Sequence, residues 1–260
     1  MGERQMDDVM RQGGCACCDG APHAGPRPGR RGLAIGALTI GALACAAVAL
    51  PLAPAVGRVP ATTLTPDRAL ARMQAGNAAW RRDTPMPASM GRDRREVLAG
   101  GQAPYCVILG CSDSRVPPEL LFGAGLGDLF IIRNAGNTVD TAALGSIEYG
   151  VGVLGCPLVV VLGHEGCGAV AAAVEVVEHN ASYEGVIGDM ILPIIPAVLA
   201  ARDAPGALLD AAVIGNARRT AGRLHRQSPL LEEAMRGGRL KIMAARYDLN
   251  EGNVAWFETV

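Results

Sequence analysis

Aromatic residues are scarce in this sequence. Phe, Tyr and Trp make up only 3% of its 260 residues, whereas hydrophobic residues of all kinds make up 50%. A core of ordinary size must therefore be built mainly from Ala, Val, Leu and Ile. The length allows one sizeable globular domain with additional segments, and no internal repeat divides it.

An excess of charge of either sign is also absent. The chain has 24 Lys and Arg against 25 Asp and Glu, a formal net charge of −1. Proteins that bind nucleic acid usually carry a positive surplus, because contacts to phosphate supply much of their affinity. We therefore expect no nucleic-acid partner.

One long stretch, residues 32–57, lacks charged residues altogether and directly follows Arg30 and Arg31. A basic start, an apolar middle and a small-residue A-P-A ending at Ala55 are typical of a secretory signal, and the paired arginines favour the twin-arginine route. We predict a disordered basic leader over residues 1–31, a signal region over 32–57, cleavage near Ala55 and export to the periplasm or the extracellular space. The alternative is a retained membrane anchor, because the apolar stretch is nearly long enough to span a bilayer.

The eight cysteines fall into two groups of four. The first group lies in the N-terminal quarter (Cys15, Cys17, Cys18 and Cys45), and the second lies in the globular part (Cys106, Cys111, Cys156 and Cys167). An even number permits disulfides in an oxidising compartment. The neighbours of Cys111 and Cys167 indicate metal chemistry instead, and Cys106 and Cys156 are expected to be buried free thiols in or beside strands.

Residues 64–260 alternate predicted strands with predicted helices. The strands are predicted at 105–110, 128–133, 158–163, 240–247 and 254–258, and the longer helices at 65–80, 141–154, 169–178, 190–201 and 208–227. The helix over 190–201 is predicted to be broken near its start by Pro193 and Pro196. This alternation predicts an α/β domain with a central, mainly parallel sheet flanked by helices. An N-terminal helical arm precedes the sheet, and a hairpin-like turn joins a C-terminal strand pair. Residues 180–189 are predicted to be irregular.

Two stretches of this domain combine a strand with chemically reactive side chains. Val107–Arg115 reads V-I-L-G-C-S-D-S-R, and Val159–Gly168 reads V-V-V-L-G-H-E-G-C-G. Each is an apolar run that stops at Gly and is followed by soft or ionisable residues. Because the carboxyl ends of parallel strands meet at one edge of a sheet, the two polar segments are predicted to form one site.

The side chains brought together in this way suit zinc. Cys111 and Cys167 offer two thiolates and His164 offers an imidazole, which makes three protein ligands and leaves one coordination position open. Any one of these residues alone would more often be an ordinary core residue. The joint pattern predicts a zinc site.

Four ordered blocks give the chain a family resemblance. C-S-D-S-R, G-D-L-F-I-I-R-N-A-G-N, S-I-E-Y-G and G-H-E-G-C-G follow one another as in the β-class carbonic anhydrases, over residues 64–258. The resemblance implies one Zn²⁺ per subunit, held by Cys111, His164 and Cys167, and reversible hydration of carbon dioxide to bicarbonate and a proton. It also implies at least a homodimer, because related proteins share pocket residues between subunits.

The resemblance further assigns roles to individual residues. It makes Asp113 and Arg115 a catalytic dyad, Gln102 a hydrogen-bonding group for the substrate, and Phe130, Tyr149 and Ala135 the walls of a small pocket. Some relatives hold an inhibitory bicarbonate beside a Trp three residues before the first cysteine. Ile108 occupies that position here, which argues against this form of regulation. Glu165 is an unusual residue between two ligands and is expected to point outward.

The chemistry explains why such residues are needed. Zinc lowers the pKa of bound water to around 7 and so supplies hydroxide at neutral pH. Asp113 is expected to accept the hydrogen of this hydroxide and to orient it, while Arg115 keeps the carboxylate ionised through a two-pronged hydrogen bond. In a closed state Asp113 would itself become the fourth zinc ligand. We expect the open form.

Three alternatives stay open at this stage. A hydrolase of carbon disulfide or carbonyl sulfide would use the same ligands on the same scaffold. A non-enzymatic zinc-binding or redox-sensing domain would not need Asp113, Arg115 or Gln102. A membrane-tethered carbonic anhydrase coupled to a bicarbonate transporter would require the leader to be retained.

Overall fold

The computed structural model describes residues 62–84 and 89–258. The leader over 1–31, the signal region over 32–57 and the first four cysteines lie outside the described residues. Within the described part of the chain, no helix combines the length and the apolarity that crossing a bilayer requires.

Nine α-helices and five strands form the described part. The helices are α1 (Pro66–Trp80), α2 (Arg92–Ala99), α3 (Pro118–Leu121), α4 (Thr141–Gly152), α5 (Gly168–His179), α6 (Val186–Ile191), α7 (Ile195–Ala201), α8 (Leu208–Gln227) and α9 (Pro229–Arg236). The strands are β1 (Cys106–Gly110), β2 (Leu129–Arg133), β3 (Leu158–His164), β4 (Lys241–Tyr247) and β5 (Val254–Glu258). Short 3₁₀ turns occupy Ala135–Asn137 and Leu192–Ile194.

The strands form one five-stranded sheet in the order β2-β1-β3-β4-β5. The first three pairings are parallel, and only β4 and β5 run antiparallel. This confirms the predicted α/β class, the mainly parallel sheet and the C-terminal strand pair. In the register of β1 with β3, Gly110 lies beside Leu162, so both strands end at the same edge of the sheet.

The sheet is covered on both faces, which explains the continuous apolar runs of β1 and β3. Every residue of these two strands is buried. On one face Val107 and Val161 pack in a cluster that includes residues of α4, α8 and α9. On the other face Ile108 and Val160 pack in a cluster that includes residues of α1 and α3. The expected free thiols, Cys106 and Cys156, are indeed buried and unpaired with each other.

Helix boundaries follow local capping chemistry. Thr65 caps α1 by accepting a hydrogen bond from the amide of Arg68 at 3.4 Å, and Pro66 occupies the first position, where its missing N–H costs nothing. Asp140 caps α4 by accepting from the amide of Ala143 at 2.7 Å. Both starts agree with the sequence prediction to within a residue.

One prediction in the α6–α7 region was wrong and one is confirmed. Residues 180–189 are not wholly irregular, because α6 already begins at Val186. The predicted break near Pro193 and Pro196 is present, since the turn at Leu192–Ile194 separates α6 from α7. Pro193 lacks the amide that a continuous helix needs, so the helix ends before it and restarts with Pro196 in its first turn.

Candidate metal centre and active site

Three side chains meet where β1, β3 and α5 come together. Cys111 directly follows β1, His164 is the last residue of β3, and Cys167 precedes the first residue of α5. The turn between the last two passes through Gly166, whose φ of +59° is a conformation that suits glycine. The topology therefore brings residues that are 56 positions apart in sequence to one edge of the sheet.

The distances suit a single small ion. The two sulfurs lie 3.9 Å apart, and the three ligand atoms all lie within 4.8 Å of one another. Two sulfurs bound tetrahedrally to one zinc at about 2.3 Å would be about 3.8 Å apart. All three side chains are buried, so the surrounding protein shields them from water.

His164 is held in the tautomer that a metal ligand requires. Its Nδ1 lies 2.8 Å from the carbonyl oxygen of Glu165, and because a carbonyl only accepts, Nδ1 carries the hydrogen. The lone pair is then on Nε2, which is buried and has no hydrogen-bond partner within residues 62–84 and 89–258. Such an unpartnered buried nitrogen is costly unless something binds it, and a zinc ion fits that requirement.

The two sulfurs affect each other's pKa in opposite directions. The S–H of Cys167 first, together with the amide of Gly136, holds the pKa of Cys111 well below its ordinary value, although burial opposes this. The Cys111 thiolate and burial raise the pKa of Cys167 in turn. A divalent ion bound by the two sulfurs would displace the thiol proton of Cys167, and its charge would stabilise both thiolates.

Asp113 and Arg115 form a rigid pair at the rim of the cluster. Arg115 donates from Nε to Oδ1 at 2.9 Å and from Nη2 to Oδ2 at 2.7 Å, and its main-chain amide also donates to Oδ1 at 2.9 Å. These hydrogen bonds hold the pKa of the Asp113 carboxyl well below its usual range. Its Oδ2 lies 3.8 Å from Nε2 of His164, so an ionised carboxylate faces the ligand cluster.

Sequence reasoning missed a third residue that shapes this loop. Arg133, at the end of β2, donates to the carbonyl oxygen of Cys111 at 2.8 Å and to that of Asp113 at 2.6 Å. It therefore fixes the backbone on both sides of Ser112. The only sequence signal was its place at a strand end on the same edge of the sheet.

Glu165 points away from the ligand cluster, as expected. Its side chain is 42% exposed, and its carboxylate accepts a hydrogen bond from the amide of Leu249 at 3.1 Å. Its negative charge is thus directed to the β4–β5 turn and to Arg246 near the end of β4, whose Nη2 lies 4.0 Å from Oε1 of Glu165.

The predicted pocket residues do not all lie at the cluster within one chain. Ala135 does, because it begins the 3₁₀ turn whose next residue, Gly136, contacts Cys111. Phe130 and Tyr149 pack against each other with ring centroids 6.1 Å apart, and Phe130 pairs with Val107 near the start of β1. Gln102 is exposed and precedes β1.

Gln102 lies at the wrong end of β1 to serve the cluster of its own chain. It lines a groove of about 530 Å³ with Leu98, Leu126 and Leu129 among others. The five residues of β1 separate this groove from Cys111, which corresponds to about 16 Å of strand. A glutamine side chain cannot bridge that distance.

The fold and the site define the class of this protein as an α/β protein with a candidate zinc centre at the edge of its sheet. Comparisons with known proteins agree with this class. A profile described as carbonic anhydrase matches residues 106–254. Carbonic anhydrase 2 of Mycobacterium tuberculosis is 39% identical over 180 residues, covering 69% of this chain and 87% of the relative. The carbonic anhydrase of Mycolicibacterium smegmatis is 38% identical over 179 residues, with the same shares.

A solved structure shows the same fold. A structure described among two tetrameric β-carbonic anhydrases from the filamentous ascomycete Sordaria macrospora is 27% identical, with a TM-score of 0.55, and the match covers 73% of this chain and 94% of that one. This chain belongs to the β-carbonic anhydrase family.

Proposed function

We propose that this protein catalyses the reversible hydration of carbon dioxide to bicarbonate and a proton, at a zinc ion held by Cys111, His164 and Cys167. The observation that carries the proposal is the buried, unpartnered Nε2 of His164 beside two sulfurs 3.9 Å apart. Bound zinc supplies a hydroxide nucleophile near neutral pH by lowering the pKa of water to about 7.

The chain's own residues orient that nucleophile. Asp113 is kept ionised and immobile by Arg115, so its carboxylate can accept a hydrogen bond from the nucleophile and direct an oxygen lone pair at carbon. Because both carboxylate oxygens already accept from Arg115, we propose the open form of the site, with Asp113 not ligating the metal. Ala135 leaves room beside Cys111 for a small, linear, apolar substrate.

We further propose that the protein is a homo-oligomer in which a second subunit completes each pocket. Gln102, Phe130 and Tyr149 lie away from the ligand cluster of their own chain, and Tyr149 is 47% exposed. The Sordaria relative is described as tetrameric, which supports the assembly. Gln102 of one subunit would then donate its amide to a substrate oxygen in the other.

Export of the protein by the twin-arginine route, with cleavage near Ala55, is proposed from the leader sequence alone. The test is replacement of Arg30 and Arg31 by lysine in the full chain. Normal export of this variant would reject the route, and an unprocessed, membrane-bound protein in the wild type would favour the anchor.

Stopped-flow hydration of carbon dioxide, combined with metal analysis, tests the catalytic proposal. We expect about one zinc per chain in the wild type and in Asp113→Asn, with activity of the variant lower by about 100-fold, the scale of losing one positioned catalytic group. Asp203→Asn, a change at an exposed carboxylate after α7, is the matched control and keeps full activity.

Each result decides between the alternatives. Full activity of Asp113→Asn would remove the proposed role of Asp113. Zinc content without hydration activity would favour a non-enzymatic zinc domain. Hydrolysis of carbonyl sulfide or carbon disulfide, in place of carbon dioxide hydration, would favour the alternative hydrolase.

A further inference from the structure

Asn216 is a buried polar residue in the middle of α8. Its exposed fraction is 2%, and its Nδ2 donates a hydrogen bond to the carbonyl oxygen of Gly136 at 2.8 Å. Burying a carboxamide is unfavourable unless it is hydrogen-bonded, so the residue is specifically matched to this carbonyl, which lies 80 positions earlier in the sequence.

Gly136 connects Asn216 to the candidate metal site. Its main-chain amide donates to the sulfur of Cys111 at 3.5 Å. The N–H and the carbonyl lie on either side of one Cα, and the φ of this residue is +76°. Fixing the carbonyl restricts the rotation that would turn the N–H away from the sulfur. Asn216 and Cys111 are thus connected through two hydrogen bonds made by the two peptide units that flank the Cα of Gly136.

The packing around Gly136 explains why an external donor is needed. A Cβ at this position would lie 2.6 Å from Cδ1 of Ile194 and 3.1 Å from Cβ of Ala169. The peptide is therefore enclosed by apolar side chains, where an unpaired carbonyl has no access to bulk water. Loss of the Asn216 donor would leave this carbonyl unsatisfied and favour rotation of the peptide.

We propose that Asn216 is a positioning residue for the metal ligand Cys111, acting through the amide of Gly136. The inference rests on the proposed zinc site. An N–H···S bond withdraws electron density from a thiolate, which reduces the repulsion between two thiolates on one ion and tunes the metal.

The test compares Asn216→Ala with Asn77→Ala in the full chain. Asn77 is a matched control, because it is also buried and its Nδ2 donates to a glycine carbonyl, that of Gly252, at 2.8 Å. Asn77 belongs to α1, and its Oδ1 accepts a hydrogen bond from the amide of Val254 at the start of β5. Both variants lose a buried carboxamide, but only the first is connected to Cys111.

Two readouts are independent of activity. In the cobalt(II)-substituted protein, we expect the thiolate-to-metal charge-transfer bands of Asn216→Ala to move to longer wavelength, because the sulfur becomes more electron-rich. In chelator competition, zinc affinity should fall about 10- to 100-fold. Asn77→Ala should keep the wild-type bands, and its zinc affinity should change by less than about twofold.

The outcomes separate this inference from the proposed site. A wild type without thiolate bands would refute the site itself. Wild-type bands that are unchanged in Asn216→Ala, or equally shifted in Asn77→Ala, would refute the positioning role alone. If Asn216→Ala does not fold, Asn216→Asp, which keeps the size of the side chain but loses the Nδ2 donor, is compared with wild type, both loaded with ¹¹³Cd and labelled with ¹⁵N-glycine. A scalar coupling between the metal and the Gly136 amide proton that is present in wild type and weaker in the variant supports the positioning role, and a coupling that is absent in wild type or equal in both proteins overturns it.

Discussion

Gly136 meets two constraints at once. Its φ of +76° lies in the left-handed region, and an added methyl group would overlap Cδ1 of Ile194 at 2.6 Å and crowd Cβ of Ala169 at 3.1 Å. Ile194 is completely buried, so moving its side chain would disturb the core around it. At the same time the main-chain amide of Gly136 faces the sulfur of Cys111. Backbone geometry at one residue therefore couples core packing to the ligand.

Gly136→Ala should consequently destabilise the fold and disturb the site. We expect a loss of about 2–3 kcal/mol of unfolding free energy in urea denaturation, from the left-handed backbone and the collision together. Gly145→Ala is the control. Gly145 is an exposed helical residue whose added Cβ meets nothing within 4 Å, so this change should stabilise by about 0.5–1 kcal/mol. Equal effects of the two substitutions would contradict the explanation.

At the scale of elements, the loop between β3 and α5 is tied to the β4–β5 turn by Glu165. Its amide donates to the carbonyl of Tyr247 at 2.8 Å, its carbonyl accepts from His164, and its carboxylate accepts from Leu249. Three separate groups of one residue thus fix the orientation of the His164 imidazole relative to the C-terminal end of β4.

This anchoring predicts different effects of two substitutions at Glu165. Glu165→Ala removes the acceptor for the Leu249 amide and so loosens the loop that carries the main-chain carbonyl bonded to His164. It should weaken zinc binding about 10-fold, the lower end of the effect of disturbing a ligand's outer partner. Glu165→Gln keeps a carboxamide oxygen that can accept the same bond, so its zinc affinity should stay within about twofold. Chelator competition measures both. A large effect of Glu165→Gln would show that charge, and not the hydrogen bond, matters.

The β4–β5 turn itself is organised by Asp248. Its Oδ1 accepts from the amides of Glu251 at 2.8 Å and Asn250 at 3.0 Å, and its Oδ2 accepts from Arg246 at 3.2 Å. The amide of Glu251 first, together with Arg246 and the amide of Asn250, lowers the pKa of Asp248 below its ordinary value.

A lowered pKa in the folded state gives a definite pH dependence. The ionised Asp248 contributes stability that is fully present above the unfolded-state pKa of about 3.9 and is lost as the pH falls through the lower folded-state pKa. Asp248→Asn retains acceptors for the amides but not the charge. In urea denaturation, the wild type should therefore be more stable than the variant at pH 7, and the difference should shrink below about pH 4. A difference that does not change with pH would contradict this assignment.

Strands were the most predictable elements. β1 and β3 are apolar runs ended by Gly and polar residues, so their existence, direction and common edge followed from the sequence, with bounds correct to one residue. The break between α6 and α7 was predictable from Pro193 and Pro196, but the start of α6 at Val186 was missed, because a helix of six residues is too short to show a clear apolar period. Cys111, His164 and Cys167 were predictable as a set because their spacing is local to two strand ends. Arg133 and Asn216 were not, since their contacts depend on packing between elements 20 to 80 positions apart.

At the scale of the whole molecule, one chain holds its metal ligands and its Gln102 at opposite ends of β1. Gly110 and Leu162 mark the edge with the ligands, and the groove of Gln102 lies beyond the other end. If the amide of Gln102 takes part in the reaction, the site it serves belongs to another subunit. The proposed assembly therefore predicts that each active site needs residues of two subunits. Activity measurements on mixed subunits test this prediction, whereas stability measurements on one chain do not.

Mixing two defective chains tests this arrangement. Gln102→Ala and His164→Ala should each have low hydration activity as pure proteins. A hybrid dimer contains one intact ligand set, on the first chain, served by the intact Gln102 of the second, and random exchange should restore about a quarter of wild-type activity. Cys111→Ala mixed with His164→Ala is the control, because no hybrid has a complete ligand set, and it should stay inactive. Full activity of pure Gln102→Ala would place Gln102 outside the reaction. Hybrids that are confirmed by native mass spectrometry and regain no activity would place it within its own subunit's site.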